Sequence, residues 1–245
     1  MDQSAQGRIV GPLLPVREEP TIAVPNRILL YHFTHVRNLA GVVRDGLLCD
    51  AAVQPDTQLA VEAGHRGVKA RRRDRPVANR VPGGDPVYQP VGPGGVVADY
   101  APFYFASRSP TLYKVWQGGV PEYREGQEPL VFLVTDVATV VRLRLPFVFS
   151  DGNCAKTVTA FFDDLTHLGK VDWELMGGTW WFDTPEDPDR MRRRAAEFLV
   201  HQRVPWEAFL GVATLTPATA DMARAELDRL SCRAAHVAVR RDWYY

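Results

Sequence analysis

The run Arg190-Met191-Arg192-Arg193-Arg194-Ala195-Ala196-Glu197-Phe198-Leu199-Val200 constrains this chain more than any other stretch. Four arginines precede a lone acid, and the acid opens an apolar segment that reads as a buried strand. An ionised carboxylate at the head of such a strand must be paired, or it must sit at a mouth where a ligand binds. The arginines raise the local potential and suit a polyanion. Glu197 is therefore the candidate chemical centre, and nucleic acid the candidate substrate.

Short apolar runs recur along the 245 residues. Strands are expected at 28–33, 102–105, 130–134, 147–149, 197–200 and 206–214, with a closing apolar strand built from 236–239 and 243–245. The segment 137–145 alternates enough to add another strand or a strand-turn pair. Helices are expected at 36–43, ended by Gly46, and at 61–73, 157–168 and 219–230. Ser109 and Pro110 mark a further helix start, one as cap and the other as first helical residue. There is no regular strand–helix–strand rhythm, which favours an α+β fold over a doubly wound sheet. Residues 1–26 read as a loosely attached arm and 27–245 as a single domain. The Pro- and Gly-rich stretch 82–98 reads as a loop insertion.

Net charge is +0 and the pI about 7.0, so any contact with nucleic acid must be local. The basic residues are clustered accordingly. Arg66, Lys69, Arg71, Arg72, Arg73, Arg75 and Arg80 crowd one stretch with Asp74 as its lone acid, and 190–194 is the second cluster. A solvated face is the plain alternative for either. Three widely spaced cysteines show no CxxC or Cys/His metal pattern, and the histidines include no HExxH, so no metal is expected. No apolar run approaches the ~20 residues that span a bilayer, and no secretory pattern opens the chain. A cytoplasmic protein without a membrane partner is expected.

GxxxxGK[ST], GxGxxG and GxSxG are all absent, which argues against Walker-type ATP binding, a dinucleotide-binding Rossmann unit and a hydrolase triad. What remains are polar groups at strand ends. His32 lies near the end of the first strand, where a lone histidine is more often a satisfied core residue. Arg108 lies just past the strand at 102–105. Trp173, Trp180 and Trp181 lie among glycines and prolines, either as a core plug or as a stacking surface. An acid, several arginines and a histidine at strand ends suit a diphosphate-bearing ligand. A carboxylate suits proton abstraction or a developing glycosyl cation.

Several motifs, in order, resemble the DarT family, the bacterial DNA ADP-ribosyltransferase toxins. They are Tyr31-His32-Phe33-Thr34-His35 with Asn38-Leu39 and Asp45-Gly46-Leu47-Leu48, then Val68-Lys69-Ala70-Arg71-Arg72-Arg73. Asp99-Tyr100-Ala101-Pro102-Phe103-Tyr104-Phe105-Ala106-Ser107-Arg108-Ser109-Pro110-Thr111-Leu112-Tyr113 is the most specific. Ser150-Asp151-Gly152-Asn153, Asp183-Thr184-Pro185 and the arginine–glutamate run complete the set. Thr111 and Ala106 depart from the residues expected at those motif positions.

The resemblance implies an ADP-ribosyltransferase fold, a split β-sandwich core with surrounding helices. It implies transfer of ADP-ribose from NAD to a base in single-stranded DNA, thymidine above guanosine, by a toxin that blocks DNA replication. Carried over by motif, Glu197 and Arg72 are catalytic, with Arg71 and Arg73 leaving the register open by one. His32, Thr34, Asn38, Gly46, Arg72 and Arg108 fall in the NAD pocket. Residues 180–194 resemble the substrate loop, which would put Trp181, Arg190, Arg192, Arg193 and Arg194 on DNA. The implied partners are single-stranded DNA and a macrodomain-containing antitoxin, with the chain a monomer. RNA or protein as acceptor, and a non-enzymatic single-stranded nucleic-acid binding module, are the alternatives.

Overall fold

The strand Leu130–Asp136 is buried along its whole length, so it needs partners on both edges and cover on both faces. The computed structural model supplies them; it describes residues 23–53, 59–64, 66–81, 83, 87–232 and 236–245. Residues 1–22 of the expected arm, and 82 and 84–86 of the expected insertion, lie outside the described residues. In chain order the described elements are β1 (Leu29–His35), α1 (Leu39–Asp45), β2 (Leu47–Leu48), α2 (Arg66–Asp74), β3 (Ala78–Arg80), β4 (Tyr88–Pro90), β5 (Tyr100–Tyr104), α3 (Pro110–Trp116), β6 (Leu130–Asp136), α4 (Val137–Arg142), β7 (Phe147–Ser150), β8 (Phe161–Phe162), α5 (Trp173–Gly177), α6 (Arg190–Arg194), β9 (Glu197–His201), β10 (Arg203–Val204), β11 (Gly211–Thr214), α7 (Pro217–Arg229) and β12 (His236–Val239).

Eight strands form one sheet in the order β12-β11-β6-β1-β5-β9-β7-β8. The pair β11–β12 is parallel and the others are antiparallel. β1 pairs with β6 along its full length, from Leu29↔Asp136 to His35↔Leu130. Its other edge meets β5 only at Tyr31↔Tyr104. The sheet therefore divides there into two four-stranded halves joined at one point, in keeping with the split core that the family resemblance implies. Backbone groups on the facing edges of β1 and β5 are left for side chains and ligands to satisfy.

Alternation in β9 decides what the split exposes. Phe198 and Val200 enter the main core with Leu30, Phe103 and Phe149, while Leu199 packs on the other face with Tyr100 and Val148. Full burial of one such aromatic contributes about 1.5–3 kcal/mol, so a one-residue slip of β9 would be strongly opposed. The register Tyr104↔Glu197 fixes the glutamate at the end of β9 nearest the split.

Five local expectations are corrected. The segment 137–145 is not a strand: the Asp136 side chain accepts from Thr139 N–H at 2.8 Å and caps α4. This local cap outweighs the β-branched composition. The segment 157–168 is not a helix: Phe161 and Phe162 pair with β7, and Asp164 then caps a 3-10 turn, Leu165–Lys170. The closing strand stops at Val239, after which a 3-10 turn tucks Tyr244 inward to donate to the Leu130 and Ala213 carbonyls at 2.9 and 3.1 Å. The basic helix begins at Arg66 and not at 61. Within 82–98, residues Tyr88–Pro90 pair with Ala78–Arg80, so a short hairpin replaces the expected unstructured loop there.

Candidate active site

The split between β1 and β5 opens into a cleft of about 200 Å³. His32 and Thr34 of β1, Pro102 and Tyr104 of β5, and Asn38 and Val42 from the turn and helix after β1 contribute to its walls. Val68, Lys69 and Arg72 of α2 face the same space, while Arg66, Arg71 and Arg73 are exposed. That division follows from helical periodicity, because positions i, i+1 and i+4 share a face. Of Arg71, Arg72 and Arg73, among which the resemblance left the register open, Arg72 alone is buried.

Arg72 Nη1 donates to Glu197 Oε2 at 2.6 Å, with both side chains almost fully buried. Burial works against the Arg72 charge, but the Glu197 carboxylate outweighs it and holds the guanidinium pKa above its ordinary value. The second carboxylate oxygen lies 3.4 Å from the Cys154 N–H. Ser150 Oγ accepts from Glu197 N–H at 3.0 Å and donates to the Gly152 carbonyl at 2.7 Å, locking the backbone beneath the acid. Burial, reinforced by Glu197, pushes the Cys154 thiol pKa well up, so it stays protonated. Gly152 lets the chain pack closely here: a Cβ would stand 3.0 Å from the Arg192 carbonyl and would displace the Arg192 guanidinium.

His32 bridges the split. Its Nδ1 lies 2.8 Å from the Pro102 carbonyl. Burial lowers its pKa to about 4, against the pull of that carbonyl. The ring is thus neutral at pH 7, and a carbonyl can only accept, so Nδ1 carries the proton and Nε2 is an acceptor. Thr34 and Asn38 are joined by a 2.9 Å bond. The Asn38 amide also grips the Val61 backbone at both ends, donating to its carbonyl at 2.8 Å and accepting its N–H at 2.9 Å. Asn38 thereby holds the segment around Val61 against the cleft. Gly46, at φ +82°, makes the turn from α1 into β2; a Cβ would stand 2.7 Å from the Val204 carbonyl.

Arg108 does not reach the cleft. Its guanidinium lies 4.5 Å from the centre of the Tyr245 ring. Trp181 is 1% exposed and donates to Tyr245 Oη at 2.9 Å, so the core-plug alternative holds and its ring is closed to a base. Its neighbour Trp180 is 62% exposed. Arg194 is buried: Nη1 donates to the carbonyls of Leu175, Met176 (3.1 Å) and Gly178 (2.8 Å), and the Arg108 carbonyl accepts from Nε and Nη2. Burial draws its pKa down to about 10. Arg192 pairs with Asp189 and Asp151, Arg193 with Asp187 and Asp172, and Arg190 with the Trp180 carbonyl. The expectation that these side chains face DNA is corrected for Trp181 and Arg194 by their burial. The other three arginines are engaged with the protein itself.

Some cleft residues escaped the sequence reading. Tyr104 lies opposite Glu197, and its hydroxyl pairs with Thr111 Oγ1 at 2.7 Å. Burial, then Glu197, push the Tyr104 pKa up. Strand alternation placing Pro102 and Tyr104 on one face was the available signal. Lys69 is held by Asp50 at 2.9 Å and by Glu62. These acids outweigh the effect of its burial and raise its pKa; nothing local in the sequence marked them as its partners.

The fold as a whole has clear parallels among solved structures. Thermus sp. 2.9 DarT in complex with ADP-ribosylated ssDNA matches with a TM-score of 0.78 at 34% identity, covering 90% of this chain and 98% of that one. The same protein in complex with NAD+ matches at 0.74 and 33%, covering 91% and 100%. The architecture is thus the α+β ADP-ribosyltransferase fold. In sequence, the DNA ADP-ribosyl transferase of Thermus sp. (strain 2.9) is 34% identical over 222 residues, 90% of this chain and 98% of the relative. The DNA ADP-ribosyl transferase of Mycobacterium tuberculosis is 37% identical over 206 residues, 83% and 84%. Residues 31–245 match the family described as ssDNA thymidine ADP-ribosyltransferase, DarT, and the chain belongs to that family.

Proposed function

We propose that this chain transfers ADP-ribose from NAD to the base of thymidine in single-stranded DNA, and that it acts as a toxin by blocking replication. The observation that carries this reading is the buried Glu197–Arg72 pair beside the cleft. The residues present suit NAD. Arg72 Nη2 is buried without a partner, a donor that an incoming acceptor would satisfy. His32 Nε2 is an acceptor suited to a ribose hydroxyl.

Cleavage of the nicotinamide–ribose bond develops positive charge on the ribose, and a fixed carboxylate at Glu197 stabilises that charge. Arg72 holds the carboxylate in place through its 2.6 Å charge-assisted bond. The same carboxylate takes the N–H proton of the attacking base as the new bond to ribose forms. Arg72 beside the base edge favours its deprotonated, nucleophilic form. His32 and Asn38 shape the cleft, one by joining the sheet halves and the other by holding the segment around Val61. An antitoxin that removes the modification is the partner this activity requires.

Mass spectrometry of oligonucleotides incubated with the protein and NAD tests the reading. One ADP-ribose mass is expected on thymidine in single strands and none on strands lacking thymidine. Modification restricted to guanosine, RNA or protein would refute the assignment of the acceptor. Binding of single strands without NAD consumption would refute the enzyme itself.

A further inference from the structure

We infer that the β3–β4 hairpin, together with the outer face of α2, is a second contact surface for the single-stranded DNA substrate. It would hold nucleotides that flank the target base; this rests on the functional reading above. Among the described residues, Arg66, Arg71, Arg73 and Arg80 are exposed and have no ion pair. The one acid in α2, Asp74, is also exposed. Exposed arginines without carboxylate partners keep their full field for a polyanion.

The second observation is an aromatic in the same place. Arg80 pairs in register with Tyr88, and both are exposed. Directly opposed residues of an antiparallel pair share a face, so a cation and a half-exposed ring stand side by side. That combination suits a single strand, whose phosphates take the guanidinium and whose unpaired bases stack on the ring. The third observation is rigidity. Asn79, pointing the other way by strand alternation, donates to the Phe161 carbonyl at 2.7 Å and accepts the Phe161 N–H at 2.8 Å. These bonds clamp β3 to the edge strand β8. The hairpin base is thus fixed to the sheet that carries Glu197, and Arg71 and Arg73 adjoin the Arg72 that touches it.

Fluorescent thymidine-containing oligonucleotides of two lengths, a trinucleotide and a 20-mer, test this with the full chain. The variants are Tyr88→Ala and the combination of Arg71→Gln, Arg73→Gln and Arg80→Gln. The expected result is weaker 20-mer binding, about tenfold for Tyr88→Ala. The log–log salt slope should shrink by about 0.7 for each phosphate contact removed. Trinucleotide modification and the thermal midpoint should not change. Wild-type affinity and salt slope in both variants would overturn the inference and leave the patch to an acidic protein partner. If the wild-type protein modified neither oligonucleotide, the functional reading would fall, and the inference with it.

Discussion

Two stretches of this chain look alike in sequence and behave oppositely in the fold. Both α2 and α6 are short arginine-rich helices. In α2 one arginine turns inward to the buried carboxylate of Glu197 and its exposed arginine neighbours have no ion pair. In α6 the arginines are consumed internally, by Asp151, Asp172, Asp187 and Asp189 and by the carbonyls that end α5. A cluster of like charges therefore says little about function until its partners are counted. Two of the acids around α6, Asp187 and Asp189, lie within six residues of the arginines they hold and Asp151 lies 41 away, whereas the acid that pairs with Arg72 lies 125 residues away. The run 190–200 carries Glu197 to its place, and its arginines brace the segment that does so.

Substitutions can break this contrast. The largest effect is expected for Arg72→Ala. Removing one partner of a buried ion pair costs roughly 3–5 kcal/mol, and ADP-ribose transfer should be lost as well. Adding Glu197→Gln should restore much of the stability in denaturant unfolding but none of the activity. Next is Arg194→Leu, which leaves several carbonyls unmet and should cost about 1–3 kcal/mol. Its salt slope for oligonucleotide binding should stay at the wild-type value, since the guanidinium faces inward. Arg192→Ala, which removes a mostly buried guanidinium bonded to Asp189 and Asp151, should cost about 1–2 kcal/mol, again with no change in slope. A loss of slope there equal to that of Arg71→Gln would erase the distinction between the helices.

The smallest effect at neutral pH belongs to His32. Its folded pKa of about 4 lies below the ordinary 6.5, so the unfolded chain binds the proton more readily. The stability linked to the neutral ring is fully present above pH 6.5 and is lost as pH falls towards 4. Urea midpoints measured across that window should fall more steeply for the wild type than for His32→Gln.

Much of the sheet was legible because its strands are continuous apolar or alternating runs; the strand read at 28–33 lies within β1 but for Ile28. The segment 137–145 misled because Val, Thr and Leu suit strands, while the deciding residue, Asp136, stands just before the run. The segment 157–168 misled because Phe161 and Phe162 fit a helical face equally well, and only β7 makes them a strand. Glu197 and Arg72 could be marked from motif and charge. Their contact, the bridging of the split by His32 and the hydroxyl pair of Tyr104 and Thr111 depend on chain crossings that no local pattern encodes. Trp181 could not be told from Trp180 in sequence, because Tyr245, which covers it, is 64 residues away.

The central claim is that Glu197 performs the chemistry and that Arg72 holds it ready. The most direct test is single-turnover transfer from NAD to a thymidine-containing single strand by Glu197→Gln, followed by mass spectrometry. The amide can still accept from Arg72, so the variant should fold with a thermal midpoint close to that of the wild type. Transfer should fall at least about a hundredfold. A folded Glu197→Gln protein that modified thymidine at the wild-type rate would contradict the account.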